Sequence, residues 1–273
     1  SPDTWHVRDD TVATPGEPPI QVTSLTVLSD GSLVGVYGGP GRIHYKIRSP
    51  DGTWGEETTV PSKTGAALSG PQLVRGSGDT VHLAYTSRDG TAWYRRIRPD
   101  GSLTAPWQVS SKLGAAETDV GSILPLVHLS ESNTTVILYR RAEGTLWARR
   151  VGPSGLLSAP VQMSAPVQVT ERSVVQNAVD SDQTGADAIA FGSRVHVLFI
   201  EEETGRLYHT SSPGNGTWTP ATLQVDSADV QWVRGQPISK GASSPDAYGY
   251  VYDAGSNGGS GMNWYDEISL TDR

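Results

Sequence analysis

The run Val81-His82-Leu83-Ala84-Tyr85, the turn Arg88-Asp89-Gly90, the run Thr91-Ala92-Trp93 and the closing Pro99-Asp100-Gly101 decide the fold. The first run alternates apolar side chains and ends on an aromatic residue, the pattern of a half-buried strand. The short Gly turn and the second run make it a hairpin. Pro presets φ and Gly accepts positive φ in the turn that closes it.

The same unit recurs outward in both directions, with its first aromatic at Tyr37, Tyr85, Tyr139, Phe199 and Tyr252, at intervals of 48, 54, 60 and 53 residues. The second strand of each hairpin carries His44, Trp93, Trp147, Tyr208 or Trp264. Turns at Ser49-Pro50-Asp51-Gly52, Pro99-Asp100-Gly101, Pro153-Ser154-Gly155 and Pro213-Gly214-Asn215-Gly216 follow four of them, and Trp54, Trp107 and Trp218 mark three further strands. The segments Leu25–Leu28, Gln72–Val74, Leu124–Leu129, Ala188–Phe191 and Gln236–Ser239 supply one more strand ahead of each hairpin. Four strands in roughly 50 residues is a propeller blade.

The expectation is therefore an all-β, five-bladed β-propeller of four-stranded antiparallel blades. It forms one domain over 1–273, with blades near 20–61, 70–110, 121–164, 186–224 and 233–273. The last blade lacks its outer strand. Ser1-Pro2-Asp3-Thr4-Trp5 copies Ser49-Pro50-Asp51-Gly52-Thr53-Trp54, so residues 1–13 are expected to pair there and close the ring. In the longer crossing from 164 to 187, Val174, Val175, Ala178 and Val179 have helical spacing and predict a short helix or lid.

Composition narrows the function classes. Lys and Arg number 21 against 29 Asp and Glu, a formal charge of -8 that repels phosphate backbones and anionic lipid, so neither nucleic acid nor membrane is an expected partner. No run approaches the ~20 apolar residues of a membrane helix. Cysteine is absent, which excludes thiol catalysis, a Cys zinc site and disulfides. The sequons at Asn133 and Asn215 are glycosylation candidates and point to a secreted protein.

Chemistry is expected where the crossings and hairpin turns of one face converge on the central channel. Lys63, Lys112, Glu117, Asp119, Gln176, Trp232, Arg234 and Gln236 fall there, beside the ladder Tyr37, Tyr85, Tyr139 and Tyr252. Regular recurrence makes packing the commoner role for the ladder. Trp232 and Arg234 break the repeat, and an indole beside a guanidinium suits a planar or anionic ligand. Glu117 and Asp119 are a candidate acid and base pair. Asp180, Asp182, Thr184 and Asp187 are spaced like a calcium loop, but Phe191 stands where a bidentate Glu belongs. The histidines His6, His44, His82, His128, His196 and His209 form no zinc spacing, and matching places for His82 and His196 point to packing. Serine-hydrolase elbows, phosphate loops and dinucleotide fingerprints are absent.

An apolar strand ending in Tyr, a G-x-[ILAM]-[WY] hairpin and a Pro-Asp-Gly-x-Trp turn resemble the blade of the fungal fucose-binding propeller lectins. That resemblance implies sugar sites between blades, built from an Arg, a Glu and a stacking aromatic. At the corresponding places stand Gly35, Leu83, Ile137, Val197 and Tyr250, and then Lys46, Arg95, Arg149, Thr210 and Asp266, so no blade keeps the triad. Length, sequons, absent cysteine and a degenerate repeat are also similar to the hetero-Diels-Alderases of tropolone sesquiterpenoid pathways. This second resemblance implies a tropolone and a humulene-type terpene as substrates, no cofactor, and one pocket. Arg234, Lys63, Lys112 and Glu117 would then be the catalytic candidates, and Trp232, Gln236, Asp119, Gln176 and the Tyr ladder the substrate contacts. A carbohydrate-binding lectin or a polysaccharide-cleaving propeller is the alternative.

Overall fold

The computed structural model describes residues 23–39, 41–113, 124–152, 164, 167–175, 185–239, 245–254 and 262–270. They form five antiparallel sheets in chain order. The first comprises β1 (Thr23–Val27), β2 (Leu33–Gly39), β3 (Arg42–Arg48) and β4 (Thr58–Thr59). The second has β5 (Leu68–Arg75), β6 (Val81–Ser87), β7 (Thr91–Ile97) and β8 (Trp107–Ser110). The third has β9 (Leu126–Leu129), β10 (Thr134–Arg140), β11 (Thr145–Val151) and β12 (Val167–Ser173). The fourth has β13 (Ala186–Phe191), β14 (Arg194–Ile200), β15 (Leu207–Ser212) and β16 (Thr222–Val225), and the fifth has β17 (Val230–Ile238), β18 (Ala247–Ala254) and β19 (Met262–Ser269). Sheet order follows sequence order in every case, as up-and-down blades require.

The five aromatic pairs read from the sequence face one another across their hairpins: Tyr37 and His44, Tyr85 and Trp93, Tyr139 and Trp147, Phe199 and Tyr208, Tyr252 and Trp264. First strands neighbour each other in succession, β1 by β5, β5 by β9, β9 by β13 and β13 by β17. Among the described residues an apolar cluster fills each of these four junctions. A fully buried Leu, Ile or Phe contributes about 1.5–3 kcal/mol, so these junctions hold neighbouring sheets together. Polar ties cross them too. The Tyr45 hydroxyl of the first sheet donates to the Gly101 carbonyl of the second at 2.6 Å. Gly101 has φ +80°, where a side chain would be strained, and its N–H closes the turn onto the Arg98 carbonyl at 2.8 Å.

Three expectations are corrected. The outer strand of the third blade is β12, inside the segment read as a crossing, because Val169 buries into the junction with the fourth sheet. Val174 and Val175 are not helical: Val174 bridges antiparallel to Glu201, and the Val175 N–H donates to the Ile200 carbonyl at 3.0 Å. Only Trp107 lies within an outer strand, whereas Trp54 and Trp218 precede β4 and β16. Ring closure by residues 1–13 lies outside the described residues, as do Ala178 and Val179.

Candidate functional site

The residues singled out by sequence lie in different surroundings. Tyr37, Tyr85 and Tyr139 are buried, and the ladder packs at the sheet junctions. The Tyr37 hydroxyl donates to the Glu57 carboxylate and its ring stacks on His44 at 5.7 Å. Tyr85 accepts from Arg95 Nε at 3.0 Å, and Tyr252, half-buried, leans on Tyr250 at 6.0 Å. Lys63 and Lys112 are exposed on crossings. Glu117, Asp119, Gln176, Asp180, Asp182 and Thr184 lie outside the described residues. Of the two sequons, Asn215 is exposed and its side-chain oxygen accepts the Thr217 N–H at 2.9 Å, while Asn133 is half-buried at φ +48°.

Trp232, Arg234 and Gln236 sit together on β17, and the structure brings Asp187 of β13 to them. By sequence Asp187 belongs to a spacing like that of a calcium loop, one that lacks the bidentate Glu. Its carboxylate instead accepts the Gly235 N–H at 2.6 Å. Burial pushes the Asp187 carboxyl up to about 6, against the pull of the Arg234 guanidinium and the Gly235 and Ala188 N–H groups. Tyr248 lies alongside. It is fully buried, its hydroxyl has no partner among the described residues, and burial raises its proton affinity well above that of a free phenol. Gly235 is required at this point, since a Cβ there would lie 2.4 Å from the Tyr248 ring. A cavity of about 270 Å³ is lined by Arg234, Gln236, Ile238 and Tyr265, among others.

A larger concavity lies at the rim, between the third and fourth sheets. It measures about 740 Å³ and is lined by Gln168, Thr170, Glu171, Arg172, Trp218 and Thr219, among others. One wall is β12, and the other is the turn segment ahead of β16. Arg172 is held in place from two sides: its guanidinium lies 4.2 Å from the Tyr208 ring centroid and pairs with the Glu201 carboxylate. Burial favours protonation of Glu201, but hydrogen bonds from Thr204 and Arg172 outweigh it and hold the carboxyl below the usual carboxylate range. Trp218 forms the half-buried floor, and its indole N–H has no acceptor among the described residues. Behind it a void of about 10 Å³ opens beside Val136, Ala148 and Arg150. An indole face, a carboxylate and a fixed guanidinium in an open groove offer stacking, acceptor and donor functions to one polyhydroxylated ligand.

Sequence reading marked Trp218 as a strand signal, and missed Arg172 and Glu171 because β12 was read as connection. Arg172 and Glu171 carried no motif. Their places two and three residues after the buried Val169 were the available signal. Among the described residues, no group of three His, Asp or Glu side chains is placed to hold a metal ion.

No family model and no curated protein matches the chain. Solved structures do. A variant of the Aleuria aurantia lectin in complex with Fucα1-6GlcNAc is similar at 14% identity and TM-score 0.51, over 93% of this chain and 82% of that one. The microbial sialidase Hz136 is similar at 14% identity and TM-score 0.56, over 88% of this chain and 54% of that one. A polysaccharide lyase, Uly1, is similar at 10% identity and TM-score 0.51, over 93% of this chain and 58% of that one. The chain thus spans little more than half the length of the two enzymes. At these identities the likeness establishes the shared propeller fold.

Proposed function

We propose that this protein binds carbohydrate and that the sugar lies in the groove between the third and fourth sheets. The observation that carries the reading is the groove itself, where the Trp218 indole, Glu171 and Arg172 face one open space of about 740 Å³. A pyranose stacks an apolar face on an aromatic ring while its hydroxyls need both donors and acceptors at the edge. The similar lectin structure holds a fucosyl disaccharide, and the similar enzymes are named for sialic acid and polysaccharide, which supports the same ligand class here.

Polysaccharide cleavage is the second reading, and the observation in its favour is Asp187. A carboxyl that titrates near 6 beside a buried phenol and a guanidinium is placed to exchange a proton near neutral pH. Cycloaddition of a tropolone with a terpene rests on sequence resemblance alone. It requires a deep apolar pocket, whereas the 740 Å³ groove is open and its lining is mixed.

The test is thermal unfolding and titration calorimetry against fucose, neutral and acidic oligosaccharides, and tropolones, each with wild type and Trp218→Ala. Binding to a sugar that is lost in Trp218→Ala supports the reading. Binding to tropolones alone overturns it. Release of reducing ends, abolished in Asp187→Asn, would establish the second reading.

A further inference from the structure

The outer strand of the third sheet departs from the repeat. Against β7 and β15, the outer strands β8 and β16 each carry one extra residue, Val109 and Gln224, as an ordinary bulge does. Against β11 the insertion is longer. Trp147 faces Gln168 but Thr145 faces Ser173, so residues 169–172 stand opposite the single Leu146. Val169 is buried and anchors the inserted chain. The Gln168 side-chain N–H donates to the Thr170 carbonyl at 2.8 Å, and Thr170 Oγ1 accepts the Arg172 N–H at 3.2 Å. Glu171 and Arg172 are thereby set on the wall of the rim groove.

The charges of these two side chains are met differently. Glu201 pairs with Arg172 and the Tyr208 ring lies against it, while its remaining guanidinium N–H groups have no protein acceptor among the described residues and are left for ligand oxygens. Glu171 is exposed, and no cation pairs with it among the described residues. The groove thus carries one carboxylate more than its cations balance. The surrounding chain adds to the excess. Residues 153–229, which supply both walls, contain three Arg and no Lys against nine Asp and Glu, most of the formal charge of -8. Of those Arg, Arg206 pairs with Asp226 at 2.7 Å and Arg194 donates to Ser211 Oγ at 2.9 Å. Such a field repels an anionic ligand and leaves a neutral one unaffected. At about 740 Å³ the groove has the size of a drug-sized ligand's site, which for a sugar means a short chain rather than one ring.

We infer that the groove selects a short neutral sugar chain and turns away acidic ones, with Glu171 as the residue that discriminates. Arg172 donates to ligand hydroxyls and Glu171 accepts from them, whereas a uronate brings a second carboxylate into a space that already holds an unpaired one. The inference rests on the carbohydrate reading above and adds the charge class of the ligand.

The experiment is titration calorimetry of the intact protein with cellotetraose, laminaritetraose and galactotetraose, each beside its form oxidised at C6 to the uronate. In wild type a neutral chain is expected to bind, and its uronate several-fold more weakly. The uronate alone is expected to gain affinity as salt rises, because screening relieves the repulsion. In Glu171→Gln the ratio of neutral to uronate affinity is expected to fall toward one and the salt response to flatten, whatever the absolute affinities. Glu131→Gln, on the exposed turn between β9 and β10, is expected to keep the wild-type ratio. A uronate that binds wild type as tightly as its neutral parent overturns the inference and leaves the carbohydrate reading standing. So does a ratio that Glu171→Gln leaves unchanged, or that both variants alter equally. If no chain of either form binds, the carbohydrate reading itself fails and the inference falls with it.

Discussion

The Gly235 N–H donates to the Asp187 carboxylate at 2.6 Å, joining the first strands of the fourth and fifth sheets. The bond exists because residue 235 has no side chain. A Cβ there would stand 2.4 Å from the Tyr248 ring and 2.7 Å from the Gly249 carbonyl oxygen. Gly235→Ala is expected to destabilise the protein by about 1–3 kcal/mol, the range for overpacking a well-filled site. Chemical denaturation measures it, with an unchanged slope and a lower midpoint as the signature.

Asp187 gives the fold a pH dependence of known sign. Its carboxyl titrates near 6 in the folded protein and near 3.8 unfolded, so the native state binds the proton more tightly. The stability this supplies is present below about 4 and lost as pH rises to about 6. Part of the side-chain surface is open to solvent, which limits the effect to roughly 1–3 kcal/mol. Asp187→Asn should flatten the stability curve in that window, as followed by denaturation at each pH.

His82 acts in the opposite direction. Its pKa is depressed to about 3, below the unfolded value of 6.5, by burial first and then by the charges of His128 and Arg96. The folded state binds the proton less tightly, so the contribution is complete above 6.5 and is lost as pH falls toward 3. His82→Gln, which keeps an acceptor for Tyr94 but cannot be charged, should lessen acid sensitivity across that range. Stability profiles of Asp187→Asn and His82→Gln separate the two contributions.

These groups show why the fold was legible in the sequence and much of the site was not. Repeat signals are local. Tyr85 and Trp93 announce their hairpin through spacing alone, and their registered pairing follows from a short turn. The same hairpin register places Leu83 opposite Arg95 and Ile137 opposite Arg149. Contacts between blades have no local signal. Nothing near Asp187 in sequence tells of Gly235, 48 residues on. The Tyr ladder was read at once as packing and as a ligand surface, and burial places Tyr37, Tyr85 and Tyr139 in the packing. Strand β12 was lost because its residues Thr170, Glu171 and Arg172 lack apolar alternation.

Arg95 illustrates a buried cation that is fully engaged. It donates to the Tyr85 hydroxyl at 3.0 Å, the Thr104 carbonyl at 3.0 Å and the Pro61 carbonyl at 2.9 Å, tying β7 to the crossing from the first sheet. Arg95→Met would strand three polar atoms and is expected to cost about 2–4 kcal/mol. A fall in thermal midpoint of several degrees with unaltered secondary structure is the readout.

The central claim is that sugar is bound on the Trp218 floor of the groove. The direct measurement is the indole N–H spectrum of ¹⁵N-labelled protein during titration with a sugar that raises its thermal midpoint, with the Trp218 peak assigned by its absence in Trp218→Phe. A saturable shift of the Trp218 peak, with the other seven of the eight tryptophans little changed, is the expected result. A sugar that binds while the Trp218 peak stays fixed would place the ligand elsewhere and contradict the account.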